Sequence, residues 1–117
     1  MKLSVVVPCY NEAVNVSEFE SELSKALLKE KITYEIIFID DGSTDDTYSK
    51  LSSLNKANKN VKVIRFSRNF GKESAMLAGL KNASGSYVAI MDADLQHTPE
   101  MLILMYKKLI NDDSFDC

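Results

Sequence analysis

Cysteine, glycine and clustered positive charge are all scarce in this sequence, and each scarcity closes off a class of protein. The two cysteines, Cys9 and Cys117, stand near opposite ends of the chain. They form neither a metal-ligand spacing nor a disulfide framework, so a reduced, cytoplasmic compartment is expected. Only four glycines occur, and none falls in "PCYNEAVN", residues 8–15. A dinucleotide-binding turn, which needs GxGxxG after its first strand, is thereby excluded. The net charge is −3 and no basic block appears, which argues against nucleic acid as a partner. No apolar run approaches the ~20 residues that cross a bilayer. No charged leader or cleavage site precedes the first apolar run, so no signal peptide is visible. With 117 residues, 45% of them hydrophobic, the chain suffices for one domain with a core.

Four β-rich runs stand out: "KLSVVVP" (2–8), "YEIIFID" (34–40), "VKVIRFS" (61–67) and "SYVAIMD" (86–92). Their centres are continuously apolar, as expected of strands buried on both faces. Helical periodicity fills the gaps. Residues 17–30 place Phe19, Leu23, Ala26 and Leu27 on one face, with Ser17 and Glu20 at capping-box spacing. A second helix is predicted over 44–57 after Ser43, with Asp46 three positions on, and a third over 72–83 with Gly85 as its end cap. Thr98 and Pro99 give the last helix, 99–111, an N-cap and a first-turn proline. That helix reads as having two apolar sides: Leu102, Met105, Tyr106 and Leu109 on one, Ile103 and Ile110 on another, with Met101 and Leu104 between. The second side is expected to pack on a further part of the domain or on a second copy of the chain.

Strand–helix alternation four times over predicts an α/β fold, a mostly parallel, Rossmann-like sheet with helices on both faces. Ligands of such sheets sit beyond the carboxyl ends of the strands, at the switch point in strand order. All four expected strand ends are polar: "PCYNE", "DDGSTD", "SRNFGK" and "DADLQH". The first and last must face one ligand, which predicts strand order 3-2-1-4 with the pocket opening between strands one and four.

Asp92 and Asp94, at i and i+2, point the same way in extended backbone. With Gln96 they offer hard oxygen ligands suited to Mg2+ or Mn2+, with positions left for a ligand's phosphates; the bland alternative is a strand end and a solvated turn. Asp40 and Asp41 suit an Asx-type turn before a helix, or hydrogen bonds to a base or ribose. Pro8 and Asn11 suit a turn, Tyr10 offers a ring for stacking, and Glu12 can cap the following helix. Arg68 and Lys72 can meet phosphate near a helix N-terminus, or can belong to a solvated loop. His97 reads as a loop residue beside a cap.

Together, "VVVPCYNE", "IIFIDDGSTDDT", "FSRNFGKESAMLAGL" and "GSYVAIMDADLQHTPE" resemble the family-2 glycosyltransferases of GT-A fold, over residues 3 to about 105. "RNFGKE" and "DADLQHTPE" look most like the subgroup that acts on polyprenyl phosphates. The resemblance implies that Pro8, Tyr10, Glu12 and Asp41, with Asp40 beside it, line a nucleotide-sugar pocket. It implies too that Asp92, Asp94 and Gln96 hold a divalent metal and contact the ribose or diphosphate. The expected reaction is sugar transfer from a nucleotide-diphosphate sugar to an acceptor, a polyprenyl phosphate or else a glycan hydroxyl. In that family the acceptor site, any catalytic base and any membrane anchor lie later in the chain. Residues 1–117 are therefore expected to be the donor-binding N-terminal part of a longer protein, at the cytoplasmic face of a membrane, and not to transfer sugar alone. A phosphoacceptor receiver domain is disfavoured, because the acidic pair follows the second strand instead of the first. A nucleotide-binding module without transfer activity is the other reading.

Overall fold

A computed structural model describes residues 2–94 and 98–111. Its elements alternate as β1 (Lys2–Cys9), α1 (Val16–Lys29), β2 (Thr33–Asp40), α2 (Thr47–Ala57), β3 (Val61–Arg65), α3 (Lys72–Asn82), β4 (Tyr87–Ile90) and α4 (Pro99–Asn111). The four strands form one parallel sheet in the order β3-β2-β1-β4, as the strand ends predicted. Val5 is in register with Ile36 on one side and Ala89 on the other.

Alternation along the strands divides the core into two layers. Leu3, Val5 and Val7 of β1, with Ile36 and Phe38 of β2, meet Phe19, Leu23 and Leu27 of α1, Leu51 of α2, and Ile103 and Tyr106 of α4. On the opposite face Val6, Ile37 and Ile39 pack on Ala75 of α3. Helix α3 lies close there because Gly79 has no side chain: a Cβ would come within 2.3 Å of Val6 Cγ1. Among the described residues no helix is long and apolar enough to cross a membrane.

The amino ends of the strands are tied by Glu35, which is only 1% exposed. Its carboxylate accepts hydrogen bonds from Ser4 Oγ (2.6 Å), Lys62 Nζ (2.7 Å), and the Ser84 N–H (2.7 Å) and Oγ (2.9 Å), with Lys2 Nζ at 3.7 Å. Burial raises its pKa, but the bonds from Lys62, Ser4 and Ser84 outweigh burial and hold it at about 2.

Several local expectations are corrected. Strands β3 and β4 are shorter than the apolar runs 61–67 and 86–92. Strand β4 is not buried on both faces: Val88 and Ile90 are 42% and 40% exposed, because α3 covers β1 and β2 but stops short of this edge. The α4 sides are assigned differently from expectation. Ile103 is buried in the core and Ile110 packs against it, so neither forms an outward face; Met101, Leu104 and Met105 are the exposed ones. Edge-to-face packing of Tyr106 on Tyr87, at 5.5 Å, accompanies that orientation. Helix α1 starts at Val16 after the N-cap Asn15, two residues too early for the Ser17–Glu20 box, and Glu20 accepts from Ser24 Oγ instead. Gly85 is not an end cap: α3 closes at Ala83, and the Gly85 N–H donates to Ser4 Oγ. Thr98 does cap α4, accepting the Met101 N–H at 3.3 Å.

Candidate functional site

Three loops leave the carboxyl ends of β1, β2 and β3, and side chains bind them to one another. Asn11 adopts a left-handed backbone, φ 54°, a region that asparagine enters more readily than most residues. Its Oδ1 accepts the N–H groups of Thr44 (2.8 Å) and Asp45 (3.3 Å) and the Thr44 hydroxyl, while its own N–H donates to Ser43 Oγ (2.9 Å). Asp45 accepts the Thr47 N–H and hydroxyl and the Ala13 N–H. Thr47 Oγ1 accepts the Glu12 N–H at 2.9 Å. These demands on residues 43–46 delay α2 until Thr47, against the expected start at 44. Gly42, at φ 69°, lies directly on the third loop: a Cβ would fall 2.2 Å from the Arg68 carbonyl carbon.

Asp40 and Asp41 are both buried and have distinct duties. Asp40 Oδ1 accepts the Ser43 N–H at 3.0 Å, the expected Asx turn. Asp41 accepts the N–H groups of Phe70 (2.8 Å) and Gly71 (3.1 Å) and the Asn69 amide (3.4 Å). It thus fixes the backbone immediately before α3.

Lys72, the first residue of α3, crosses to the end of β4, where its Nζ is 3.0 Å from Asp92 Oδ1. Asp94 is exposed two residues on. Cys9, at the end of β1, lies within this acidic surround. Burial first, then the charges of Glu12, Asp40 and Asp92, push its thiol well above the ordinary range, so it is not a nucleophile at neutral pH.

Of the remaining predicted residues, Pro8 is half-buried in β1 and Tyr10 stands 47% exposed just beyond it. Glu12 accepts the Asn15 amide at 2.8 Å, and its carbonyl accepts the Asn15 and Val16 N–H groups at the entry to α1. Arg68 lies over the Phe70 ring at 4.6 Å. Gln96 and His97 lie outside the described residues, as does Cys117. Sequence reasoning did not single out Asn69, Asp45 or Thr47. The Asp-x-Thr spacing of an Asx turn marks the last two; Asn69 carries no such signal.

No group of three or more His, Cys, Asp or Glu side chains among the described residues surrounds one point. What the described residues supply is a pair of carboxylates at a strand end, with an ammonium group already seated on one of them. That donor set fits a hard divalent ion that takes its remaining oxygens from water and phosphate, and does not fit zinc.

Comparison with known proteins identifies the family. A dolichol-phosphate mannosyltransferase of Pyrococcus furiosus is 41% identical over 111 residues, covering 95% of this chain and 31% of the relative. The bactoprenol glucosyl transferase of Shigella phage SfV is 39% identical over 108 residues, covering 92% of this chain and 35% of the relative. Among solved structures, a mannosyltransferase from Pyrobaculum calidifontis in complex with GDP-Man and Mn2+ superposes with a TM-score of 0.80 at 28% identity, over 95% of this chain and 32% of that one. The chain thus spans about a third of the length of the relatives it matches. The glycosyl transferase family 2 model matches residues 4–117, and the chain belongs to that family.

Proposed function

We propose that this chain is the donor-binding part of a glycosyltransferase that moves a sugar from a nucleotide-diphosphate sugar to a polyprenyl phosphate. The observation that carries this is the meeting of Asp92 and Lys72 at the ends of β4 and α3, beside the β1 end that carries Tyr10. The names of the relatives, a dolichol-phosphate mannosyltransferase and a bactoprenol glucosyl transferase, support the acceptor class.

In this reading Asp92 and Asp94, with Gln96, hold Mg2+ or Mn2+. When bound, the ion supplies Lewis-acid stabilisation of the departing diphosphate. Tyr10 offers its ring to the base. Asp41 shapes the pocket wall through the loop it holds, and Arg68 and Lys72 meet phosphate charge at the positive end of α3. A phosphate acceptor is already ionised, so no strong general base is required of these residues. Acceptor recognition falls to the part of the relatives' length that residues 1–117 do not span. Holding an acceptor in line contributes ~7–11 kcal/mol to lowering a barrier, so this chain alone is expected to hydrolyse donor slowly at most.

Saturation-transfer NMR with UDP-, GDP- and dTDP-sugars tests the reading. One donor should give contacts that strengthen with the diamagnetic Mg2+, and Asp92→Ala should abolish that strengthening. Equal absence of transfer from all three, with and without Mg2+, would overturn it.

A further inference from the structure

Lys72 occupies a place that electrostatics disfavours for a cation. It opens α3, where the unpaired N–H groups carry partial positive charge, and the preceding Gly71 supplies no side-chain cap. Its ammonium group is held instead by Asp92 Oδ1, 3.0 Å away, with the two side chains 59% and 38% exposed. An ion pair so open to solvent changes an equilibrium by only about two- to fivefold and is readily exchanged. The backbone beneath it is not free to follow. The Gly71 and Phe70 N–H groups are bound to Asp41, and the Ala75 N–H closes the first helical turn on the Gly71 carbonyl. What can move is the four-carbon stem of the lysine.

We propose that Lys72 and a divalent cation compete for Asp92, and that the ammonium group is handed to the diphosphate when cation and nucleotide bind together. The inference rests on the donor-site reading above. It adds that the site resists the cation by itself and accepts it readily only with the nucleotide. A doubly charged ion at Asp92 repels the ammonium group. A diphosphate beside the start of α3 gives that group a second anion in a place already favourable to negative charge. Cation and nucleotide therefore bind synergistically, and each raises the other's affinity by the same factor.

The test is a Mn2+ titration followed by the EPR signal of free Mn2+, alone and with saturating UDP, GDP or dTDP. It compares the wild-type chain with Lys72→Met and Lys72→Arg. Lys72→Met should bind Mn2+ alone about two- to fivefold more tightly than wild type. It should bind the diphosphate more weakly, so that the coupling factor falls by about two- to fivefold while the direct attraction between cation and diphosphate remains. Lys72→Arg, which keeps the charge, should behave as wild type. A purely structural lysine would instead lower both affinities together. Unchanged or weakened binding of Mn2+ alone by Lys72→Met, in a chain whose wild type binds Mn2+, would overturn the competition and leave the donor-site reading standing. Failure of the wild type to bind Mn2+ under any condition would overturn both.

Discussion

Glu35 and Asp92 sit on the same sheet, one toward the amino ends of the strands and the other beyond the carboxyl ends, and they are held in opposite ways. Glu35 is sealed from water and bound by Ser4, Lys62 and Ser84 through four hydrogen bonds, with Lys2 nearby. Asp92 is partly open and is held by Lys72 at a single oxygen. Burying a carboxylate is costly unless nearly every lone pair is satisfied. Glu35, on β2, meets that condition with groups drawn from β1, β3 and the segment before β4, so its charge serves as a structural tie. Asp92 avoids the cost by remaining near solvent, which keeps its charge available for exchange. A carboxylate's surroundings therefore tell more about its role than its position in an apolar run does.

Breaking the first of these carboxylates should have the largest effect. Glu35→Ala strands the buried Ser4 hydroxyl and the Ser84 N–H. A loss of about 3–5 kcal/mol in urea unfolding is expected, with no specific loss of nucleotide affinity in the protein that remains folded. Acid should expose the same tie. The folded pKa of Glu35, about 2, lies below its ordinary 4.5. Its contribution, about 3 kcal/mol, is therefore complete above about pH 5 and lost as pH falls toward 2. Glu35→Gln should flatten that limb of the stability profile. At the other end of the sheet, Asp94→Asn should weaken nucleoside diphosphate binding at least about tenfold with Mn2+ and little without it. Asp41→Ala should weaken it equally in both conditions, since it acts through the loop backbone; calorimetry on the pair separates the two roles. The smallest effect belongs to Lys2→Met, because Lys2 is the most distant of the Glu35 partners. A cost within about 1 kcal/mol is expected, and a larger one would mean that the tie depends on that charge as well.

Strand order was legible because it follows from chemistry at the strand ends: polar ends at the first and fourth apolar runs required those strands to be neighbours. The turn at Asp40 was legible because its signal is local, an acid three residues before the N–H that it accepts. What escaped was non-local. Glu35 interrupts an apolar run and invites notice, yet its partners lie 27, 31 and 49 residues away. The contact between Lys72 and Asp92 joins the start of α3 to the segment after β4, whose proximity only the fold creates. The inward face of α4 was misassigned because "MLILMYKKLI" is apolar nearly all round, and its orientation is fixed by α1 and Tyr87 instead of by its own periodicity. Capping boxes failed where a loop residue had a stronger claim, as Asn11 has on the N–H groups of Thr44 and Asp45.

That claim by Asn11 has a bearing on speed. Its side chain joins the loop after β1 to the loop after β2, and Gly42 seats the second loop on the third. With these three walls tied together, entry of a ligand between them calls for no hinge, which would take microseconds to milliseconds. The Lys72 rotamer, by contrast, changes in picoseconds to nanoseconds. Stopped-flow association should therefore show one exponential phase whose rate rises in proportion to nucleotide concentration, without a plateau. Asn11→Ala, by loosening the walls, should introduce the plateau that a rate-limiting loop closure leaves behind.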